Sequence, residues 1–157
     1  MSTAPLSPLP RPVTGVFVRQ VIRAGCGGDF AAVWLDAEPP QEGSTAVEGL
    51  EFVDDLPGAY YTPDSHYEPV FTKAFFRGFR EHWLGPGPGR ARHSARIVLR
   101  DAHWSDVDSG PYGFAQAGRV AAREVMDCVR EDRAPRQAGR PAHPDRPIPL
   151  MPRLRGR

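Results

Sequence analysis

Apolar and polar positions divide the chain into six elements. Val16 to Ile22 (VFVRQVI) is dense in β-branched residues and predicts a strand. Phe30 to Asp36 (FAAVWLD) predicts a second, and the glycine-rich turn Arg23 to Asp29 makes the pair a hairpin. Leu50 to Leu56 (LEFVDDL) predicts a third strand that buries Leu50, Phe52 and Leu56. Pro69 then opens a helix whose wide apolar face is Val70, Phe71, Ala74, Phe75, Phe79 and Trp83. Gly85 to Gly89, alternating with proline, ends it. Ser94 to Arg100 alternates strictly, Ala95, Ile97 and Leu99 on one side against Arg96, Val98 and Arg100 on the other, as in a half-buried strand.

The last element begins at a polar corner, Asp106 to Ser109. Ser109 is placed to cap a helix, and Pro111 fits its first turn. Phe114, Ala117, Gly118, Ala121, Val125 and Cys128 give it a narrow apolar face of small residues, ending near Arg130. Asp106 and Asp108 stand where negative charge complements the helix dipole. The order β-β-β-α-β-α predicts an α+β fold, one sheet covered on one face by two helices.

Composition narrows the folded unit. The chain has 157 residues. Residues 1–12 are proline-rich, and residues 132–157 are rich in arginine and proline, with no apolar period in either. Both are expected to be tails around a domain at 13–131. The net charge of +1 hides an asymmetry. No Lys or Arg falls between Arg23 and Lys73, a stretch with ten acids, whereas 17 basic and nine acidic residues lie from Lys73 onward. Such polarity orients a molecule on a charged partner. Cys26 and Cys128 lack CxxC spacing and read as free thiols in a reducing compartment. With no signal-like start and no apolar run of about 20 residues, a cytoplasmic protein with no membrane partner is expected.

Catalytic and cofactor signals are weak. The glycine turn lacks the GxxxxGK[ST] phosphate loop and precedes a strand, so no nucleotide is expected. The five histidines form no metal-spaced pair, so neither a metal nor another cofactor is expected. His103 with Asp106 and Asp108 could be drawn as an acid–base site, but three polar residues beside a helix start are more often a corner.

Two segments carry a family resemblance. GDFAAVWLDAEPPQEGS, residues 28–44, is similar at equal spacing to the G-Q-Y-G-H-V-x-I-x-x-x-P-x-x-x-G segment of domain IV of translation elongation factor G. WSDVDSGPYGFAQAGRVAARE, residues 104–124, is similar without a gap to that domain's Y-H-D-V-D-S-S-E-x-A-F-x-x-A-A segment. Between them LEFVDDL resembles Y-E-F-I-N-D-I, and HYEPVFTKAF resembles E-Y-I-P-A-V-x-K-G-I. The resemblance spans roughly residues 16–130. It implies a split β-α-β fold with a left-handed crossover, an exception to the usual hand. It also implies a stand-alone module without the GTPase domains, and a non-catalytic one.

In that family, domain IV reaches the small ribosomal subunit, and its tip loops contact RNA. The matching tip here is Cys26, Gly27, Gly28 and Asp29 with His103, Trp104, Ser105 and Asp106. The family's tip histidine falls on Ser105, its capping glutamate falls on Pro111, and the basic residues of its first tip loop are missing. Arg92, Arg96 and Arg100 are candidate phosphate contacts. Trp104 could stack on an unpaired base or pack over the glycine turn. The implied partner is the small subunit or a structured RNA. The alternative is a protein-interaction module in which the acidic stretch docks a basic protein.

Overall fold

The computed structural model describes residues 6–24, 27–43, 49–85 and 93–155. Its elements are β1 (Ser7–Pro8), β2 (Val13–Ala24), β3 (Gly27–Glu38), β4 (Leu50–Asp54), α1 (Pro69–Trp83), β5 (His93–His103), α2 (Pro111–Glu131) and β6 (Ala138–Arg140). Each expected strand and helix is present, and β2, β3 and β5 outrun their apolar cores at both ends.

The sheet runs β5-β3-β2-β6. Along the outer edge of β5, β1 pairs with His93 and Ser94, and β4 pairs with Ala95 to Leu99. β3 is antiparallel to both β2 and β5, while β6 is parallel to β2. β5 and β6 therefore run the same way, joined through α2, with β3 and β2 between them. That is the split β-α-β arrangement, in an α+β fold of two layers.

One face of the sheet meets the helices. Val16 and Val18, Val33 and Leu35, and Ile97 and Leu99 are all buried there against Phe71, Phe75, Phe79, Phe114 and Val125. The alternation read at 94–100 holds: Ala95, Ile97 and Leu99 are buried, while Arg96, Val98 and Arg100 are half-buried on the other side. Val70 departs from its expected place and is exposed. It sits at the edge of the α1 face, whose centre is the Phe71–Phe75–Phe79 stack.

The two helices touch backbone to backbone. A Cβ at Gly78 would stand 2.8 Å from the Ala115 carbonyl carbon, and one at Gly118 would stand 2.7 Å from the Phe79 nitrogen. Both distances are below any real Cβ contact, so glycine here sets the interhelical distance. A third glycine serves the sheet. Gly15, at φ 73, makes the β2 bulge between Val13 and Val16, and its N–H donates to Asp36 Oδ1 at 2.8 Å.

Both expected tails join the fold. Leu9 is buried in the core, and Arg11 donates to the carbonyls of Cys128 (2.9 Å) and Arg133 (3.1 Å). Arg133 bonds both oxygens of the buried Glu124, at 2.8 and 3.0 Å, and these bonds push its pKa up. β6 pairs with β2, and the segment beyond it crosses the sheet's second face as a strap. Ile148 and Met151 pack on Phe17, Ala32 and Trp34 there, and Trp34 Nε1 donates to the Pro149 carbonyl at 2.9 Å. The strap is anchored by backbone acceptors and scattered apolar residues between prolines, which leave no period to read.

Candidate nucleic-acid interface

The β2–β3 hairpin and the corner after β5 meet at one end of the sheet. Phe30 N–H donates to the Asp108 carbonyl at 2.8 Å, and Ser109 Oγ donates to the Phe30 carbonyl at 2.6 Å. The corner is tied internally by hydroxyls. Ser105 Oγ accepts from the N–H groups of Val107 (3.3 Å) and Asp108 (3.1 Å), and Ser109 Oγ accepts from Ser105 N–H at 2.8 Å. Ser109 is thus occupied by the corner and the hairpin. The residue flanking α2 is Gly110, with extended backbone and no cap of its own.

The cap comes from the other loop. Asp29 Oδ1 accepts from Gly110 N–H and Oδ2 from Gly113 N–H, each at 2.9 Å. Two orphan amides of the first turn are satisfied by a carboxyl group that the hairpin brings in. Burial pushes the Asp29 pKa above the ordinary carboxylate value, and the two amide bonds pull it back. A Cβ at Gly113 would stand 2.7 Å from Asp29 Cγ, so glycine is needed for the approach. Asp29, predicted as a tip contact, is a structural joint between the loops.

The other predicted residues separate. Gly27 and Gly28 open β3 opposite Ala24 and Arg23. Cys26 and Arg92 lie outside the described residues. Asp106, Val107 and Asp108 form the exposed outermost turn, with Val107 88% exposed. His103 is exposed, and its ring meets the Phe30 ring edge-on at 5.5 Å. No hydrogen bond or ion pair joins it to Asp106 or Asp108, so the drawn acid–base trio is not assembled.

Trp104 packs elsewhere than over the glycine turn. It lies between Tyr60 and Tyr67, each 4.9 Å away and steeply inclined, and its Nε1 donates to the Ser65 carbonyl at 3.1 Å. The loop at residues 57–67, rather than the glycine turn, receives it. Beside it Tyr60 OH donates to the fully buried Asp101 at 2.5 Å, and burial followed by that bond pushes the Tyr60 pKa up. Asp101 Oδ2 accepts from Arg153 N–H at 2.7 Å, which ties the strap to β5.

Arg96 and Arg100 are occupied by the acidic stretch. Arg96 pairs with Glu38 and, at 3.8 Å, with Glu51. Arg100 pairs with Asp36 at 2.9 Å and Asp55 at 3.1 Å, and Arg153 adds a contact to Asp55 at 3.3 Å. The charge asymmetry of the sequence is partly cancelled in space, because β3 and β4 bring acids to the basic strand. Neither arginine offers a phosphate an unpaired guanidinium.

Unclaimed cations lie further along the same face. A groove of about 310 Å³ is lined by Phe17, Arg19, Phe30, Trp34, His103 and Arg155, among others. Sequence reading missed Arg19, Phe30 and Arg155. Arg19 was visible as the residue two beyond Phe17 on the outward side of β2, but Arg155 belongs to the strap. Among the described residues no group of three His, Cys, Asp or Glu could hold a metal ion, and no helix is long and apolar enough to cross a membrane.

No family model matches the chain. It is 28% identical over 103 residues to elongation factor G of Karelsulcia muelleri (strain GWSS), covering 66% of this chain and 14% of that protein. A solved structure from Thermus thermophilus superposes with a TM-score of 0.53 at 18% identity, covering 80% of this chain and 17% of the other. The chain thus spans about a seventh of the curated relative's length, and the structural likeness is one of fold. Over two thirds of its length, the chain is similar to a domain-sized part of elongation factor G.

Proposed function

We propose that the chain is a non-catalytic, domain IV-like module that binds the small ribosomal subunit or a structured RNA in a translation-related role. The end formed by the hairpin and the His103–Asp108 corner leads. The observation that carries this reading is the joining of the two loops through Asp29, in a chain similar to part of elongation factor G over two thirds of its length. A corner already fastened to β3 through Asp29 and Phe30, with exposed His103 at its side, can enter a crevice at a smaller ordering cost. The test is titration of purified small subunits with the wild type and with His103→Ala. Saturable binding at low salt, weakened by the substitution, is expected. No binding at low salt by the wild type would overturn the reading.

One feature favours the second reading, a protein-interaction module. Asp106 and Asp108 flank the highly exposed Val107 with no cation in the turn, a surface complementary to a basic protein. Capture from native lysate followed by RNA sequencing and protein identification separates the two: co-purified rRNA belongs to the first, a basic protein without rRNA to the second.

A further inference from the structure

We infer that the groove on the strap side of the sheet takes one unpaired nucleotide, with its base against Phe30 and its phosphate on Arg19 and Arg155. The inference rests on the RNA-binding reading and concerns the groove that adjoins the leading corner at His103.

Three observations converge on it. First, the second face of the sheet is divided by charge. Where β3 and β4 flank β5, Arg96 and Arg100 each meet two acids. In the groove, whose charged lining is Arg19 and Arg155 with His103 beside them, no acid lines the wall among the described residues. Two arginines facing one concavity without a carboxylate raise the local potential, and an anion relieves it.

Second, the two arginines are unspent. Among the described residues, the side chain of Arg19 meets the Phe30 ring, its guanidinium carbon 6.0 Å from the centroid. Arg155 donates its Nε to the Leu150 carbonyl at 3.0 Å. Neither has an ion-pair partner among the described residues. Arg155 is therefore aimed by one bond while its terminal nitrogens stay available for a phosphate, the geometry that guanidinium serves best.

Third, the floor is aromatic and rigid. Phe17 and Trp34 pack at 4.8 Å, and the Trp34 indole is pinned to Pro149. Phe30 is half-buried on this cluster and held at its edge by His103. The exposed Arg19 can lift from the Phe30 ring to meet the phosphate, leaving that ring face free for a stacked base. Within a duplex both faces of a base are covered by its stacked neighbours, so the groove discriminates by strandedness rather than by sequence.

The test is fluorescence anisotropy with the full chain, a labelled ten-nucleotide single-stranded RNA, the matched RNA duplex, and an acidic peptide of equal charge. The single strand should bind more tightly than either competitor. Arg19→Gln and Arg155→Gln should each lower the salt slope of log K by about 0.7. Phe30→Leu, which keeps an apolar floor, should weaken binding by roughly tenfold. If Phe30→Leu proves unfolded, the two arginine variants decide alone, since both side chains are exposed. Duplex or peptide binding as tight as the single strand would overturn the nucleotide assignment. So would unchanged slopes in folded arginine variants. Small-subunit binding whose salt slope is the same for the wild type, Arg19→Gln and Arg155→Gln would overturn the groove and leave the leading corner standing. Absence of binding to both RNA and subunits would instead remove the reading beneath both.

Discussion

Asp29 Oδ2 accepts the Gly113 amide at 2.9 Å across 84 positions of sequence. The contact joins the β2–β3 hairpin to the start of α2, and Gly113 leaves the carboxyl group its space. Asp29→Ala should cost about 1 kcal/mol, the ordinary worth of an N-cap. Gly113→Ala should cost as much or more, although alanine is the better helix former, because the new methyl displaces the carboxyl group. Urea unfolding measures both. If the double variant loses the sum of the two, the residues do not act together and the joint is misassigned.

The helix crossing makes a sharper demand. Gly118→Ala adds one methyl where the Phe79 backbone stands 2.7 Å away. Overpacking of this kind costs about 1–3 kcal/mol and sometimes more. Phe75→Ala, which empties a fully buried site in the same layer, should cost roughly 3–5 kcal/mol. Thermal unfolding of the two variants checks the pair. A loss below about 1 kcal/mol in either would place the helices further apart than described.

Ending the chain after Arg146 would remove Ile148, Pro149, Met151 and Arg153. Trp34, 5% exposed, would lose its apolar cover and its acceptor, while Trp83 and Trp104 keep theirs. The tryptophan emission of the folded, truncated protein should therefore shift to the red, and stability should fall by about 2 kcal/mol or more, from apolar burial alone. Unshifted emission would mean that the strap does not cover this face.

Burial, and then the neighbouring Glu124, push the Cys128 thiol from its ordinary 9.0 up to about 12. The thiol form is therefore favoured by folding. Stability from this group is therefore fully present below about pH 9, where the thiol is protonated in both states, and is lost as pH rises from 9 towards 12, because only the unfolded thiol ionises there. At pH 8 a disulfide reagent should modify Cys128 only as fast as the protein opens. Rapid modification of Cys128, identified by peptide mapping, would contradict its burial.

The sequence was most legible where a residue's fate depends on its near neighbours. Alternation at Ala95–Arg100 placed β5 with its correct face inward, because a half-buried strand writes its environment at every second position. Phe71, Phe75 and Phe79 announced α1 in the same way. The resemblance to elongation factor G brought the hairpin end and the corner together. Legibility stopped where a group answers to a distant partner. The α2 cap looked like Ser109, the residue next to the helix, whereas Asp29, 81 positions before Gly110, performs it. Arg96 and Arg100 read as free cations because their acids lie in β3, in β4 and just beyond β4. Trp104 was paired with the glycine turn as its packing partner because Tyr60 and Tyr67, which it meets, belong to an aperiodic loop. The strap was taken for a tail because its holds on the sheet, Pro149 to Trp34 and Arg153 to Asp101, use backbone groups that carry no side-chain signature.

The parallel pairing of β6 with β2 sets an order of events for the growing polypeptide. Val18 meets Ala138, 120 residues later, so this edge of the sheet cannot close until residue 138 has been made. Until Ile148 and Met151 emerge, Phe17 and Trp34 stand bare on a sheet that the helices have already backed. Contacts of such long reach slow folding, and an unfinished chain with an open apolar face is prone to self-association. Ribosomes stalled after α2 but before Met151 would therefore hold the most aggregation-prone intermediate, and synthesis of the strap would relieve it.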